Sequence, residues 1–118
     1  MKKIIFYSYS KCSTCRKAAK WLQNKDFEFQ LIDIVKEPPL FNYLNLALEQ
    51  YSDDMKRIFN IRGKAFKKLN FDIYSLSREE IIKLLLSDGK LIKRPFLIFE
   101  GEKVILGFNE IEYAKQFM

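Results

Sequence analysis

The first 35 residues combine two apolar runs with an intervening helical periodicity. Ile4-Ile5-Phe6-Tyr7 is a β-branched and aromatic run, which predicts a buried strand. Apolar residues then recur at the spacing that places one face of a helix on a sheet: Cys15, Ala18, Ala19 and Leu22. A second strand is predicted within 27–35. Strand, helix and strand within about 30 residues form a βαβ unit, whose two strands are parallel.

Prolines interrupt the strand pattern after this unit, and helical patterns follow. Glu37-Pro38-Pro39 cannot continue a ladder of backbone hydrogen bonds. The next apolar stripe has helical spacing: Leu40, Leu44, Ala47, Leu48 and Tyr51. Ser77 and Glu80 have the spacing of a capping box, which predicts the start of another helix, and Asp88-Gly89 predicts its end. We therefore expect an all-helical insertion at approximately 38–90, within a single domain that spans 1–118.

The C-terminal part of the chain predicts a hairpin followed by a helix. Residues 96–99 and 103–106 are short apolar runs typical of strands. Gly101 lies between them, where a tight turn requires a positive φ, so the two strands are expected to pair antiparallel. Asn109 is a helix-capping residue ahead of the final helix. The order βαβ, helices, ββα predicts an α/β fold with a four-stranded mixed sheet, the layout of the thioredoxin/glutaredoxin fold with helices inserted.

Composition excludes several classes of function. The formal net charge is +6, but the lysines and arginines are interleaved with acids, which favours a solvated basic surface over direct nucleic-acid binding. No apolar run approaches the length of a membrane span, and the N-terminus lacks the apolar core of a signal peptide. We therefore expect a cytoplasmic protein with no membrane contact. Histidine is absent from the sequence, which excludes a Cys–His dyad and a Cys/His zinc finger.

The two cysteines form a Cys-x-x-Cys motif, Cys12 to Cys15, between the first strand and the first helix. Unpaired backbone N–H groups and the helix dipole favour the thiolate at such a position. One alternative is a zinc site, which would need two further ligands; another is a structural role for Cys15 on the buried helix face. In a reducing compartment the motif is typical of a thiol–disulfide couple, without a metal. Cys12 is then the exposed nucleophile and Cys15 the resolving thiol.

Cations are expected around this motif. Pro95 stands directly before the third predicted strand, where a thioredoxin-like fold has a cis proline beside the active-site loop. A trans proline that begins an edge strand is the alternative. The cis arrangement would set Arg94 near Cys12, where a guanidinium stabilises a thiolate or grips an anionic group. Lys11 and Arg16 either add positive charge on both sides of the loop or are ordinary surface cations.

Four blocks of sequence carry a family resemblance: residues 6–18 with Trp21-Leu22, Glu37-Pro38-Pro39, Lys93-Arg94-Pro95-Phe96 and Leu106-Gly107-Phe108-Asn109-Glu110. In this order they resemble the ArsC/Spx/MgsR family of arsenate reductase-like proteins with a thioredoxin fold. The glutaredoxin-coupled arsenate reductases of this family have one catalytic cysteine and three arginines that hold the oxyanion. In an ungapped alignment only Arg94 is retained, because Asn60 and Gly107 occupy the other two positions. The resemblance therefore favours a thiol target over arsenate.

The resemblance implies two alternative functions. The first is a glutaredoxin- or arsenate reductase-like thiol–disulfide oxidoreductase, in which Cys12 attacks, Cys15 resolves and Arg94 stabilises the thiolate. Glutathione or thioredoxin would supply electrons to it, and no cofactor would be bound. The second is a redox-sensing transcriptional regulator of the Spx/MgsR type, whose disulfide controls binding to the RNA polymerase α subunit. The basic segment 62–69, which begins with Arg62, resembles the corresponding segment of those regulators.

Overall fold

The computed structural model describes residues 3–118, which contain a four-stranded mixed sheet. Its strands are β1 (Ile4–Ser8), β2 (Gln30–Asp33), β3 (Phe96–Phe99) and β4 (Lys103–Leu106). They lie in the order β2-β1-β3-β4, with β1 parallel to β2 and antiparallel to β3, and β3 antiparallel to β4. In this register Phe6 lies opposite Leu31 on one side and Leu97 on the other. The sheet confirms the predicted α/β fold class and the predicted strand directions.

The described residues also form five α-helices: α1 (Ser13–Asn24), α2 (Phe41–Gln50), α3 (Lys64–Lys67), α4 (Arg78–Ser87) and α5 (Glu110–Phe117). Helix α1 is the crossover of the predicted βαβ unit, and α2, α3 and α4 lie between β2 and β3, where helices were predicted. The Ser77 hydroxyl accepts the Glu80 N–H at 3.2 Å, and the Glu80 carboxylate accepts the Ser77 N–H at 2.9 Å. The predicted capping box is thus confirmed. Within residues 3–118, no helix is long and apolar enough to cross a membrane.

Strand β2 is shorter at both ends than the predicted 27–35. Asp26 adopts a left-handed conformation with φ 62°, and the Phe27 N–H donates to the Leu22 carbonyl at 2.9 Å. These residues therefore form the turn that leaves α1. At the other end, the Asp33 carboxylate accepts two following backbone N–H groups at 2.9 and 3.2 Å. That Asx-type turn ends the strand, because the backbone donors are satisfied locally instead of by a neighbouring strand.

The predicted end of α4 at Asp88-Gly89 is confirmed, although Gly89 does not have a positive φ. Helix α4 ends at Ser87, Asp88 is extended, and a 3₁₀ turn, Gly89–Leu91, follows directly. Gly89 is buried, and a Cβ atom there would lie 2.0 Å from the backbone oxygen of Ile34. The glycine is needed because two backbone segments meet at this point without room for a side chain.

Both faces of the sheet are covered. Residues alternate along β1, so that Ile5 and Tyr7 pack towards the helices between β2 and β3, while Ile4 and Phe6 pack towards α1 and α5. On the second side Trp21 and its neighbours form an aromatic cluster, made of Trp21, Phe27, Tyr113 and Phe117. Burial on both faces explains why the central strands β1 and β3 are continuous apolar runs instead of alternating ones.

The hairpin and the last helix follow the prediction. Glu100 and Gly101 turn the chain with φ values of 56° and 69°, and β3 pairs antiparallel with β4. Two consecutive residues with positive φ match the twist of the strands that they join. The Asn109 side chain accepts the Glu112 N–H at 3.0 Å and caps α5.

Candidate functional site

The Cys-x-x-Cys motif lies where the loop after β1 enters α1. Cys12 is the N-cap residue, with extended φ and ψ of −97° and 112°, and its sulfur accepts the Cys15 N–H at 3.3 Å. The Cys12 N–H in turn donates to the Tyr9 carbonyl at 2.9 Å, which closes the loop. Cys12 is half-buried, whereas Cys15, one turn further into the helix, is 1% exposed. The first sulfur therefore faces the helix N-terminus and the second faces the core.

The surroundings of Cys12 favour its thiolate. Partial burial alone would raise its pKa, but hydrogen bonds from the Cys15 thiol and backbone N–H and from the Arg94 guanidinium outweigh burial. The positive charge of Arg94 acts in the same direction. The net result is that the pKa of Cys12 lies below its ordinary value. A lowered pKa is what a thiol needs in order to act as a nucleophile near neutral pH.

The surroundings of Cys15 favour its thiol. Burial, followed by the hydrogen bond with Cys12 and the Cys12 charge, raises the pKa of Cys15 from an ordinary 9.0 to about 11. A backbone hydrogen bond at Tyr9 lowers it only in part. Two thiols of one motif thus have pKa values displaced in opposite directions by their separate environments.

Arg94 is brought to this loop because it directly precedes β3, the strand that pairs with β1. The Arg94–Pro95 peptide bond is cis, as predicted, and directly precedes β3. The guanidinium donates to the Lys90 carbonyl at 3.2 Å and lies over the Tyr9 ring, 5.1 Å from its centroid. These contacts hold the charge beside Cys12, since a long side chain would otherwise sample many rotamers.

The other three predicted cations have separate locations. Lys11 is exposed and lines a cavity next to the loop. Arg16 is exposed on α1, and its guanidinium donates to the Ser10 carbonyl at 2.8 Å, which ties the loop to the helix. Arg62 is exposed in the turn before α3 and does not line that cavity. The structure thus brings Lys11 and Arg94 together, but it leaves Arg62 outside the site.

The cavity, here called the basic cavity, has a volume of about 390 Å³. It is lined by residues from three segments: Tyr9, Lys11, Asn60, Gly63, Lys64, Ala65, Lys90 and Arg94. Sequence reasoning did not single out Tyr9, Lys64 or Lys90 as site residues. Lys64 lies within the basic segment 62–69, which was the available signal, whereas the sequence around Lys90 gave no indication that it lies near the Cys-x-x-Cys loop.

Asn60 and Gly107 stand at two positions where the arsenate reductases of the family alignment have arginine. Asn60 lines the basic cavity without contributing a charge. Gly107 has φ +71°, and its carbonyl accepts the Tyr113 hydroxyl at 3.0 Å. Of the three oxyanion positions in the family alignment, Arg94 alone is therefore cationic. In the part of the chain that the structure describes, no group of three or more His, Cys, Asp or Glu residues could hold a metal ion.

Known proteins are similar to this chain over most of its length. The Bacillus subtilis protein YusI is 42% identical over 95% of this chain and 96% of its own length. The global transcriptional regulator Spx of Lactiplantibacillus plantarum is 34% identical over 95% of this chain and 84% of its own length. The crystal structure of a possible arsenate reductase from Streptococcus mutans UA159 superposes with a TM-score of 0.87, at 37% identity, and covers 97% of this chain and 98% of its own.

A family model agrees with these similarities. The model of the ArsC family matches residues 7–116. This range includes the Cys-x-x-Cys loop, Arg94, the end of β1 and all of β2, β3 and β4. The family resemblance inferred from the four sequence blocks is therefore confirmed. This chain belongs to the ArsC family.

Proposed function

We propose that this protein is a thiol–disulfide redox protein that cycles between a Cys12/Cys15 dithiol and a Cys12–Cys15 disulfide. One observation carries the proposal: the two environments displace the thiol pKa values in opposite directions, down for Cys12 and up to about 11 for Cys15. An accessible thiolate next to a protonated, buried thiol is the division of roles that a nucleophile and a resolving thiol require.

In the first step the Cys12 thiolate attacks one sulfur of a disulfide substrate. The substrate S–S bond breaks, a Cys12 mixed disulfide forms, and one thiolate leaves and takes a proton from solvent. Cys15 then loses its proton and attacks the Cys12 sulfur, which releases the second thiol and leaves the Cys12–Cys15 disulfide. Two electrons pass from the protein to the substrate. A small-molecule or protein thiol, such as glutathione or thioredoxin, returns the protein to the dithiol.

The mixed disulfide itself promotes the second step. The Cys12 hydrogen bond and negative charge are two of the causes that raise the pKa of Cys15. Both are lost when the Cys12 sulfur enters a mixed disulfide. The pKa of Cys15 then falls from about 11, although burial still keeps it high, so the resolving thiol becomes more acidic after the first attack.

Arg94 has the role of stabilising the Cys12 thiolate, and it favours thiol chemistry over arsenate reduction. Three arginines hold the oxyanion in the arsenate reductases that the sequence resembles, and here Asn60 and Gly107 stand at two of those positions. A single guanidinium held by Tyr9 and the Lys90 carbonyl can stabilise one anionic sulfur.

Thiol counting after treatment with a disulfide reagent tests the proposal. The reduced wild type should lose two free thiols and carry no adduct by intact mass. Cys15→Ser should stop at the mixed disulfide and retain one adduct, and Cys12→Ser should form little adduct, because its remaining thiol is buried and protonated. A wild-type protein that retains the adduct, or a Cys12→Ser variant that reacts as fast as wild type, would contradict the assignment.

A second candidate function is redox-gated regulation of transcription. It is favoured by the 34% identity with a global transcriptional regulator that extends over 95% of this chain. In this role the same disulfide would change a surface that binds the RNA polymerase α subunit. Both functions are consistent with a cytoplasmic location, where thiols are kept reduced.

Retention of purified RNA polymerase on the immobilised protein separates the two functions. The regulator hypothesis expects polymerase to bind with an affinity that differs between the dithiol and disulfide forms, with Cys12→Ser locked in the reduced behaviour. The oxidoreductase hypothesis expects disulfide turnover without retention. Turnover in the absence of binding in both redox forms would exclude the regulator.

A further inference from the structure

All of the charged residues that line the basic cavity are cations. Four cations line it, Lys11, Lys64, Lys90 and Arg94, and no Asp or Glu from residues 3–118 does so. The chain as a whole has 21 Lys and Arg against 15 Asp and Glu, so four charged residues chosen at random would on average include at least one acid. Like charges in one concave surface repel one another and raise the local concentration of anions.

The walls of the basic cavity are fixed by backbone hydrogen bonds. The Asn60 N–H donates to the Leu91 carbonyl, and the Lys93 N–H donates to the Ile58 carbonyl, both at 2.8 Å. These bonds join the segment before α3 to the segment before β3, and an isolated bridge between Phe59 and Ile92 lies between them. The cations are therefore presented by segments that are held together, not by an unsupported loop.

The third wall comes from the Cys-x-x-Cys loop itself. Its Tyr9 and Lys11 line the cavity, and its shape is fixed by the Tyr9–Cys12 backbone bond of 2.9 Å and by the Arg16–Ser10 bond of 2.8 Å. Arg94 lines the cavity and also lowers the pKa of Cys12 through a hydrogen bond and its charge. Cys12 does not itself line the cavity, so an anion bound there would share Arg94 with the nucleophilic sulfur.

We propose that the basic cavity binds the carboxylates of a small disulfide while Cys12 attacks its sulfur. This inference rests on the proposed thiol–disulfide function and names its substrate class: a low-molecular-weight disulfide with more than one carboxylate. The volume of about 390 Å³ suits a small molecule, since ligand pockets typically have ~300–1,000 Å³. Lys64 and Lys90 bind the carboxylates at a distance from the sulfur, and Arg94 remains on the thiolate.

Stopped-flow kinetics with three disulfides of different charge tests this inference. The probes are oxidised glutathione, which is anionic, bis(2-hydroxyethyl) disulfide, which is neutral, and cystamine, which is cationic. Each rate is divided by the rate of the same probe with free dithiothreitol, which removes intrinsic differences in reactivity. We expect the normalised rate to be highest for oxidised glutathione at low salt. The preference should disappear as the Debye length falls from ~30 Å at 0.01 M to ~3 Å at 1 M ionic strength.

Lysine variants distinguish a local site from the overall positive charge. Lys64→Gln and Lys90→Gln should each slow the reaction with oxidised glutathione by about 1.5- to 5-fold, the range measured for partly exposed charge contacts, and leave the neutral probe unchanged. Lys67→Gln is the matched control, because Lys67 is exposed on the same helix α3 but does not line the cavity. It removes the same charge and should change neither rate.

The outcomes separate this inference from the function on which it rests. Equal normalised rates for the three probes, with a Cys12–Cys15 disulfide formed in each case, would overturn the carboxylate site and keep the redox function. An equal effect of Lys64→Gln and Lys67→Gln would also overturn it, because the preference would then come from net charge. Failure to form the disulfide with any probe would overturn both.

Discussion

The separation of the two thiol pKa values predicts a large difference in their rates of alkylation. An ordinary thiol with a pKa of 9.0 is about 1% thiolate at pH 7. With a pKa of about 11, Cys15 is only ~0.01% thiolate at that pH, so ionisation alone slows its alkylation by ~100-fold. Cys12, with its pKa lowered, should react faster than an ordinary thiol of the same accessibility.

The assay is a brief, substoichiometric treatment of the reduced native protein with iodoacetamide, followed by peptide mapping of singly modified chains. Single modification matters because an alkylated Cys12 no longer carries the charge that helps to raise the pKa of Cys15. The Cys15 rate should rise about tenfold per pH unit up to pH ~11, whereas the Cys12 rate should level off below the pKa of an ordinary thiol. Protein unfolded in urea is the control, and its two thiols should react at similar rates. Similar rates in the native protein would refute the assignment of nucleophile and resolving thiol.

Three further predictions concern Arg94 and two buried groups. Arg94→Met should move the alkylation midpoint of Cys12 to higher pH, and Arg94→Lys should move it less because lysine keeps a positive charge. No shift in either variant would show that Arg94 does not stabilise the thiolate. Gly89→Ala should lower the free energy of unfolding by ~3 kcal/mol or more in urea titrations, since its Cβ would lie 2.0 Å from the Ile34 carbonyl oxygen. Gly101→Ala is the comparison: its Cβ meets open space, so only the φ of +69° should lower the free energy of unfolding, by ~1–2 kcal/mol. Burial raises the pKa of Tyr113, so the folded state keeps a proton that the unfolded chain releases above pH ~10. The free energy of unfolding should therefore fall by up to ~1.4 kcal/mol per pH unit above that pH. Tyr113→Phe should flatten this decline, and an unchanged slope would contradict the assignment.

Local rules predicted the features that depend on neighbouring residues. The capping box at Ser77 and Glu80, the Asn109 cap and the positive φ of Gly101 each follow from side chains or backbone within a few residues. The sequence also located the Cys-x-x-Cys pair at the junction of β1 and α1, because an apolar run and a helical stripe border it directly.

Features that depend on distant segments were predicted wrongly or not at all. Asp88-Gly89 was correctly predicted to end a helix, but the sequence did not indicate that Gly89 is also required by the close approach of Ile34, which lies far away in sequence. The predicted strand 27–35 is longer than the observed β2. Phe27 is apolar, but it packs against Trp21 in the aromatic cluster and does not extend the strand. Apolar periodicity reports that a side chain is buried, but it does not report against which element.

The sequence by itself determined the α/β order of elements, the absence of histidine chemistry and the presence of one dithiol at a helix N-terminus. Only the tertiary structure decided what surrounds that dithiol. The approach of Arg94 to Cys12, the burial that distinguishes Cys15 from Cys12 and the position of Lys64 and Lys90 in one cavity all arise from contacts between remote segments. The physical reason is that spacing along the chain fixes local hydrogen bonds, whereas pKa values and cavity charge depend on the groups that folding brings within a few ångströms.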